Sequence, residues 1–398
     1  MISSLRSTYN EKFTIAKYEA MQDWIAKQHN HRPVFRIAET PVFIPDDLMQ
    51  KVKKACDDVI DVILQPDFKT RTQGALVMDK NVPNEPDHTT FLQMDFGICE
   101  DGNGGYTPQL IELQGFPSLY CYQDLAARAF RKFFPIPDDY THLFNGLTTE
   151  SYVDLLREVI VGDTPPANVI LLELEPHKQT TQIDFWATRD LLGIPVVCIT
   201  DLKVSGRKVY YEKNGKKISV HKIYNRVIFD ELWPRTDLKR EFFFPEDYDV
   251  EYVGHPNWFF RISKYTLPLI HSPFVPRTWF LDEISTLPDN LSDYVLKPLF
   301  SFAGQGVLIN PTKEDIESIE NPEQFILQKK VHYGSVVKTP NEPAKFELRM
   351  MFLWKDHEPR PLLVNNLLRL SKAEMVGVRY NKDKDWVGGS VGFFAKGA

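Results

Sequence analysis

A short apolar strand that ends on a lysine and a proline, residues 294–298 (YVLKP), constrains the fold of this chain more than any other stretch. A loop of small residues, 300–306, follows at once, and a second β-type run covers 307–309. A lysine that leaves a strand beside a glycine-containing loop suits phosphate binding, because the ammonium supplies charge and the loop lets backbone N–H groups approach an anion. A lysine at a strand end is more often simply solvated. Other features of the sequence are therefore needed to distinguish a phosphate-binding Lys297 from a solvated one.

Composition and charge narrow the class of protein. The chain has 398 residues, of which 43% are hydrophobic and 25% charged, and this length predicts two or three domains. The formal net charge of −7, without a basic block, argues against nucleic acid as a partner. Four scattered cysteines without a CxxC pair indicate a reducing compartment. With no apolar signal segment and no run near the ~20 residues of a membrane span, we expect a cytoplasmic protein without a membrane partner.

The middle third is typical of an open parallel sheet. Residues 169–172 form a continuous apolar run, as in a strand that is covered on both faces. A predicted helix over 181–192 ends at Gly193, and residues 195–199 form the next strand, which completes one βαβ unit. Open sheets bind ligands at the carboxyl ends of their strands, so the polar stretch 173–181 is a candidate substrate contact. Its threonines could equally serve only to cap the helix.

The remaining pattern predicts further helices and strands. Asn214-Gly215 is a strong turn signal and predicts a hairpin over 208–220. Proline-rich joints near 134–137 and 163–166 are candidate domain boundaries. Helices are expected over 8–29, after Pro45, over 119–133 and over 313–319, and strands within 74–114 and near 295–299, 306–309, 325–328, 346–354 and 361–370.

Four features suit one nucleotide site. The first is Lys297 with its loop, and the second is Lys264, a short way upstream. The third is the apolar strand that begins at Phe325 and runs into a polar linker, whose backbone groups could read an adenine edge. The fourth is a pair of charged strands with Arg349 and Arg369, each placed where its guanidinium could bind a phosphate in a bidentate manner.

This order of features resembles the ATP-grasp superfamily of carboxylate ligases. The resemblance implies that Lys264 and Lys297 hold the phosphates of ATP and that arginines stabilise the phosphoryl group in transfer. The strand-to-linker segment would pass the adenine, and the small-residue loop would cover the phosphates. The residues assigned in this way are Lys264, Lys297, Gly304, Gln305, Gly306, Gln328, Lys329 and Val331 for ATP, with Arg349 and Arg369 as catalytic residues.

The family also needs an acidic metal site, normally on late strands, and in this chain suitable acids occur in the N-terminal third instead. Glu112 and Gln114 are two apart on a predicted strand, so both side chains point to one face. Asp95 lies on the preceding strand and can converge with them. Two carboxylates and an amide oxygen are suitable ligands for Mg²⁺. Gln114 replaces the usual asparagine, which keeps the carbonyl oxygen and adds a methylene.

The metal strands therefore come first and the lysine strands last, as in a circular permutation, and the glutathionylspermidine-synthetase-like group is the permuted group that the chain resembles. The expected fold class is α+β or α/β, a circularly permuted ATP-grasp with an additional open α/β (βαβ) substrate domain. Residues 1–150 would carry the metal-ligand strands and residues 151–250 the substrate domain. Residues 251–398 would supply the nucleotide lid and the rest of the core.

The resemblance implies an ATP- and Mg²⁺-dependent ligase that joins a small-molecule carboxylate to an amine, or to a thiol, through an acyl phosphate. Two alternatives stay open. One is a small-molecule kinase on the same fold, and the other is a non-catalytic nucleotide-binding or scaffolding protein, which the replacement at Gln114 keeps in play. The products of the reaction would separate them.

Overall fold

The computed structural model describes residues 2–76, 80–301, 305–373, 376 and 381–397. The helices are α1 (Ser3–Lys12), α2 (Ile15–Gln28), α3 (Asp46–Ile63), α4 (Phe68–Arg71), α5 (Tyr120–Phe133), α6 (Thr149–Ile160), α7 (Gln182–Leu192), α8 (Phe229–Leu232), α9 (Pro256–Arg261) and α10 (Lys313–Glu317). The strands are β1 (Val42–Phe43), β2 (Phe91–Glu100), β3 (Tyr106–Gln114), β4 (Tyr140–Thr141), β5 (Val169–Glu173), β6 (Val196–Cys198), β7 (Lys203–Ser205), β8 (Lys208–Lys213), β9 (Lys216–Ser219), β10 (Lys222–Asn225), β11 (Glu251–Val253), β12 (Thr278–Phe280), β13 (Tyr294–Pro298), β14 (Leu308–Ile309), β15 (Phe325–Lys329), β16 (Lys345–Leu353), β17 (Leu362–Ser371), β18 (Gly388–Ser390) and β19 (Gly392–Ala395).

A five-stranded antiparallel sheet joins the two ends of the chain. Its strand order is β18-β17-β16-β2-β3, so two strands from the N-terminal third pair with three from the C-terminal third. Arg349 on β16 lies opposite Asp95 on β2, and Asp95 lies opposite Glu112 on β3. Because directly opposite residues point to the same side of a sheet, this register places charged side chains from three strands on one face.

The alternation along β16 explains why this sheet has one polar and one apolar face. Glu347 and Arg349 alternate with Phe346, Leu348 and Met350, as expected for a strand with period two. The three apolar residues belong to the largest hydrophobic core, which also contains the buried side of α3. Burial of this face against α3 fixes the register, since a slip of one residue would turn the charges into the core.

A second antiparallel sheet, with strand order β12-β15-β13-β14, carries the lysine motif. Leu296 lies opposite Leu327, and both pack into a small core with Leu281 and Ile316. The side chains of residues before and after a buried strand residue point the other way. Lys297 on β13 is therefore turned away from this core.

The middle of the chain forms a parallel sheet, β11-β10-β5-β6, as the sequence predicts. Strand β5 is buried along its whole length, and α7 connects it to β6. Gly193 ends α7 with a φ of 76°, in the left-handed region that glycine adopts without strain. The expected hairpin is also confirmed, because β8 and β9 flank Asn214-Gly215.

Two local predictions are wrong. The helix predicted over 8–29 is two helices, α1 and α2, separated by the extended residues Phe13 and Thr14, and the Thr14 side chain caps α2 by accepting a hydrogen bond from the Lys17 N–H at 3.3 Å. The strand predicted over residues 75–78 does not begin as expected, because Ala75 belongs to a short 3₁₀ turn, Gln73–Ala75, and residues 77 and 78 lie outside the described residues. No helix in the described part of the chain has the length and apolar character needed to cross a membrane.

Candidate functional site

A cavity of about 820 Å³ lies between the polar face of the five-stranded sheet and the sheet that carries the lysine motif. Its walls combine residues that are far apart in the sequence. Of the residues singled out from the sequence, the lining includes Glu112, Gln114, Lys264, Lys297, Gln328, Lys329, Val331, Arg349 and Arg369. The structure thus brings Glu112 and Gln114 from the N-terminal third and both lysines, Lys264 and Lys297, to one place.

Lys297 is buried at the wall of this cavity. Its Nζ donates hydrogen bonds to the Ile111 carbonyl oxygen at 3.2 Å and to Gln328 Oε1 at 2.5 Å. Burial lowers the pKa of Lys297 to about 8, an effect that the neighbouring Glu112 carboxylate opposes and the Lys264 ammonium reinforces. A bound anion would favour the charged form of both lysines.

Lys264 follows α9 and begins a 3₁₀ turn, which the Ser263 side chain caps. Its Nζ donates to the Ser301 carbonyl oxygen at 2.7 Å and to Ser301 Oγ at 3.3 Å. Burial lowers the pKa of Lys264, against the opposing charges of Glu112 and Asp230. The two lysines therefore approach the cavity from different elements, and the Lys264 ammonium is near enough to lower the pKa of Lys297.

Asp95 lies apart from the other two residues that the sequence predicts as metal ligands. It is 1% exposed, does not line the cavity, and accepts two hydrogen bonds from Arg349, Nε to Oδ1 at 2.6 Å and Nη2 to Oδ2 at 2.7 Å. Arg369 Nη2 also donates to Oδ2. Burial raises the pKa of Asp95, but the two guanidinium groups outweigh this effect and hold it below its usual value. Asp95 therefore anchors both arginines and, unlike Glu112, is not part of the cavity lining.

Glu347 lines the cavity and was missed in the sequence analysis. It accepts a hydrogen bond from the Tyr333 hydroxyl and forms an ion pair with Arg369 Nη2 at 2.9 Å. Burial raises the pKa of Glu347, and Arg369 opposes that shift. The signal was the alternation on β16, where Glu347 is two residues from Arg349 and must share its face.

The residues at this wall fit a divalent metal once Glu347 takes the place of Asp95. Glu112 and Glu347 supply carboxylates. They are close enough that the charge of Glu112 helps to raise the pKa of Glu347. The Gln114 amide nitrogen donates to Gln93 Oε1 and to the Phe116 carbonyl oxygen, so the amide oxygen is its available ligand atom. Hard oxygen ligands of this kind suit Mg²⁺. Within the described ranges, no three His, Cys, Asp or Glu side chains form a complete metal cluster by themselves.

The loop after β13 contributes less to the cavity wall than the sequence predicts. Gln305 and Gly306 are exposed and do not line the cavity, and Gly304 lies outside the described residues. Gly306 has a φ of 71°, and a Cβ there would lie 2.9 Å from the Pro298 ring. This glycine is therefore needed for the chain to pass the end of β13, whatever its relation to a ligand.

A buried arginine lies at the carboxyl edge of the parallel sheet. Arg226 directly follows β10 and is 1% exposed, with its guanidinium carbon 4.8 Å from the centre of the Phe116 ring and 5.2 Å from that of Phe185. Its Nη2 lies 3.5 Å from the Thr181 hydroxyl, which lines the cavity. Nε and Nη1 have no hydrogen-bond partner among the described residues. The predicted substrate edge thus contains an arginine that the sequence analysis did not single out.

Glu173, at the end of β5, shares this edge. Burial raises the pKa of Glu173 to about 8, although Arg226 and the Leu174 N–H favour its charged form. Asp184 on α7 accepts the N–H groups of Cys121 and Tyr122 at the start of α5, at 3.0 and 2.9 Å. Burial raises its pKa too, and Arg226 again opposes the shift. This edge of the parallel sheet therefore holds the buried Arg226 guanidinium beside two carboxyl groups, Glu173 and Asp184, whose pKa values are raised by burial.

Comparisons with known proteins support the architecture. No protein-family model and no curated protein matches the sequence. Among solved structures, the chain is similar to a glutathione synthetase-like effector from Globodera pallida, determined in its apo form, with a TM-score of 0.55 and 11% sequence identity. The alignment covers 90% of this chain and 94% of that one. The chain has a glutathione synthetase-like fold. This likeness concerns the fold alone, and it agrees with the mixed α/β, ATP-grasp-like architecture expected from the sequence.

Proposed function

We propose that this protein is an ATP- and Mg²⁺-dependent ligase that joins a carboxylate to an amine, or less often to a thiol. The observation that carries the proposal is the cavity itself. Lys264 and Lys297 reach it from one side, and Glu112, Arg349 and Arg369 line the other. Cations beside a hard-oxygen carboxylate are what a nucleotide triphosphate and its metal require.

The nucleotide would lie along the second sheet. Val295, Val307 and Ile309 provide apolar surface for an adenine ring, and the segment from Gln328 to Val331 lines the same wall. The ammonium groups of Lys264 and Lys297 would bind the phosphates. A volume of about 820 Å³ falls within the usual range of ligand cavities, roughly 300–1,000 Å³, and leaves room beside a nucleotide.

Glu112, Gln114 and Glu347 would hold the metal. When bound, Mg²⁺ neutralises phosphate charge and orients the triphosphate. Arg369 Nε is buried and has no hydrogen-bond partner in the described part of the chain, so it is a donor available to a transferring phosphoryl group. Arg349 is held rigidly by Asp95 and adds a fixed positive charge at the same wall.

The proposed reaction has two steps. A carboxylate oxygen of the substrate attacks the γ-phosphorus, which gives an acyl phosphate and ADP. The nitrogen of a neutral amine then attacks the acyl carbon, phosphate leaves with the former carboxylate oxygen, and the amine proton passes to the solvent. The chain supplies positioning and charge for both steps, and no side-chain nucleophile is required.

Arg226 is the group we assign to the carboxylate substrate. A buried guanidinium with unpartnered N–H groups is a strong site for a carboxylate, because it makes charge-assisted, often bidentate, hydrogen bonds. It adjoins the cavity through Thr181. The edge of a parallel sheet is also the usual place for a ligand in an open α/β domain.

Several finer features belong to the same proposal. The order of strands along the chain, with β2 and β3 before β13 and β16, supports a circularly permuted ATP-grasp of the glutathionylspermidine-synthetase-like group. The parallel sheet would act as the additional substrate domain within residues 151–250. A cytoplasmic location fits a reaction that consumes ATP.

A hydroxylamine trap tests the ligase proposal. Hydroxylamine is a small amine that converts an acyl phosphate into a hydroxamate, which ferric iron reveals by colour. The protein is incubated with Mg²⁺-ATP, hydroxylamine and a panel of small carboxylates, and ADP and hydroxamate are measured together. We expect both products in equal amounts with the correct carboxylate, and neither with Arg369→Met.

Two outcomes would replace the ligase by an alternative. ADP with a stable phosphoester would indicate a kinase. Binding of Mg²⁺-ATP without turnover across the panel would favour a nucleotide-binding or scaffolding protein. Gln114, which stands where the ATP-grasp superfamily usually has asparagine, is the feature that keeps this alternative open. An exposed substitution far from the cavity, Lys54→Met, serves as the control for handling of the variants.

A further inference from the structure

A continuous segment after β15, residues 329–333, lines the cavity with every one of its residues. Its backbone is attached to the second sheet, because the Lys330 N–H donates a hydrogen bond to the Asp293 carbonyl oxygen at 2.7 Å. Under the proposed function, the first residues of this segment would form the wall beside the nucleotide. Its last residue, Tyr333, contacts the opposite wall, where the acids and arginines lie.

The Tyr333 ring lies on the polar face of the five-stranded sheet, over Gly97 of β2. A Cβ at Gly97 would be 2.7 Å from this ring, so the glycine leaves the space that the ring occupies. Gly97 is directly opposite Glu347 in the pairing of β2 with β16. The ring therefore lies beside the Glu347 side chain, and its hydroxyl donates a hydrogen bond to Glu347 Oε1.

Two further contacts fix the position of this ring. The N–H of the next residue, Gly334, donates to the Ile98 carbonyl oxygen at 2.9 Å, which attaches the segment to β2. The Lys345 ammonium lies 5.7 Å from the centre of the Tyr333 ring, within the range of a cation–π contact. Because the ring is already held, its hydroxyl has little conformational freedom to lose when it binds an acceptor.

Glu347 has a different partner on each of its carboxylate oxygens. Oε1 accepts the Tyr333 hydroxyl, and Oε2 lies 2.9 Å from Arg369 Nη2. A guanidinium frequently binds both oxygens of one carboxylate through two parallel hydrogen bonds. Here the hydroxyl takes one oxygen, and Arg369 Nε has no hydrogen-bond partner among the residues that the structure describes. Tyr333 and Arg369 thus share one carboxylate.

We propose that Tyr333 is a positioning residue for the metal. Its hydroxyl holds Glu347 Oε1, prevents Arg369 from binding both oxygens, and leaves the remaining lone pairs of the carboxylate for a divalent ion. An ionised carboxylate has about four acceptor positions, so two hydrogen bonds still leave room for a metal. The inference rests on the proposed function, because it requires Glu347 as a metal ligand.

The nucleotide wall and the support of the metal ligand then belong to one segment, residues 329–333. Removal of a group that orients a metal ligand typically lowers metal affinity by roughly 10–100-fold. Loss of the Tyr333 hydroxyl should therefore weaken the contribution of the metal to nucleotide binding, and leave the contacts of the nucleotide itself. A residue that only shapes the wall would instead affect binding equally with and without metal.

Calorimetry measures the contribution of the metal without turnover. The full chain is titrated with an ATP analogue whose β- and γ-phosphates are bridged by an imido group, once with excess Mg²⁺ and once with a chelator. The affinity with Mg²⁺ divided by the affinity without it is the metal ratio. In Tyr333→Phe this ratio should fall roughly tenfold, with the metal-free affinity nearly unchanged. Tyr210→Phe, the same exchange on β8 outside the cavity, should change neither affinity.

A double-variant cycle shows whether the hydroxyl acts through Glu347. Glu347→Gln should lower the metal ratio at least as much as Tyr333→Phe does. Adding Tyr333→Phe to Glu347→Gln should lower it no further, because both changes remove the same interaction. Gly97→Ala must displace the Tyr333 ring and should lower the ratio too, which provides a second route if Tyr333→Phe does not fold. Circular dichroism shows whether each variant has folded.

The outcomes separate this inference from the proposed function. An unchanged metal ratio in folded Tyr333→Phe would overturn the positioning role and leave Glu347 as a metal ligand. An equal loss of affinity with and without Mg²⁺, or full additivity with Glu347→Gln, would overturn it as well. An unchanged ratio in Glu347→Gln would reject both this inference and the proposed metal site. A lower ratio in Tyr333→Phe, with no hydroxamate from any carboxylate, would retain the positioning role and reject the ligase.

Discussion

The Asp95 carboxylate is held by the Arg349 guanidinium through two parallel hydrogen bonds, at 2.6 and 2.7 Å, across the strand pair β2–β16. The two residues are directly opposite in the register, so the contact links the N-terminal and C-terminal strands of one sheet. Arg369 joins the same carboxylate from β17. Asp95 thereby sets the position of both arginines that line the cavity.

Asp95→Asn should destabilise the protein strongly. The change removes one charge from a buried network and leaves the Arg349 guanidinium without its counter-ion, whereas Arg369 keeps its ion pair with Glu347. We expect a loss of about 3–5 kcal/mol in the free energy of unfolding. Urea denaturation followed by tryptophan fluorescence measures it. The control is Asp61→Asn, which breaks an exposed pair with Arg360 and should change stability far less. Similar losses in both variants would mean that Asp95 is not an anchor.

Glu112→Gln should leave a folded protein that has lost metal-dependent ATP turnover. The substitution keeps the volume of the side chain and removes the charge that a divalent metal requires. ADP release is measured at several Mg²⁺ concentrations, with Glu100→Gln at the exposed end of β2 as the control. Turnover equal to that of the parent at every concentration would exclude Glu112 as a metal ligand.

The sequence predicts elements of this fold better than it predicts their pairing. The βαβ unit and the hairpin over Asn214-Gly215 depend on local signals, namely an apolar run and a tight turn, and both are confirmed. The break between α1 and α2 was missed because the capping hydrogen bond of Thr14 outweighs an otherwise helical pattern. That β2 pairs with β16 depends on contacts between distant segments, which no local pattern contains.

The candidate site shows the same limit. Residue type, position on predicted strands and the resemblance to the ATP-grasp superfamily singled out Glu112, Lys297 and Arg349, and the structure gathers them at one cavity. The role of Asp95 could not be read in this way, because its partners come from strands that are distant in the sequence. The alternation of side chains along β16 could have predicted that Glu347 shares a face with Arg349. Its ion pair with Arg369, which comes from the neighbouring strand β17, could not be predicted from that pattern.

Gly97→Ala should disturb the segment that covers the polar face of the sheet. A Cβ at Gly97 would lie 2.7 Å from the Tyr333 ring and 3.1 Å from Ile111, so the ring must move and its hydroxyl must leave Glu347. We expect a loss of about 1–3 kcal/mol in unfolding free energy. Tyr333→Ala removes the obstacle, so the double variant should lose less than the sum of the two single changes. Strict additivity would contradict the contact.

Mg²⁺-ATP affinity should fall as the pH rises above about 8. Burial lowers the pKa of Lys297 to about 8, so the unliganded protein loses this proton well before an unfolded chain, whose lysines titrate near 10.4. Stability consequently rises with pH between these values, because the unfolded state then binds more protons. Binding of a triphosphate needs the ammonium and must restore the proton.

Calorimetric titration at pH 7.5 and 9 should therefore show a decrease in affinity on the order of tenfold for the parent. Lys297→Met should bind more weakly at pH 7.5, by about 1.5–3 kcal/mol, because a charge-assisted contact is lost. It should also show a smaller decrease with pH, and what remains would reflect Lys264, whose pKa burial also lowers. Lys54→Met, at an exposed residue of α3, should behave as the parent. The same decrease with pH in the parent and in Lys297→Met would show that another group controls binding, and Lys297 would no longer be assigned to the phosphates.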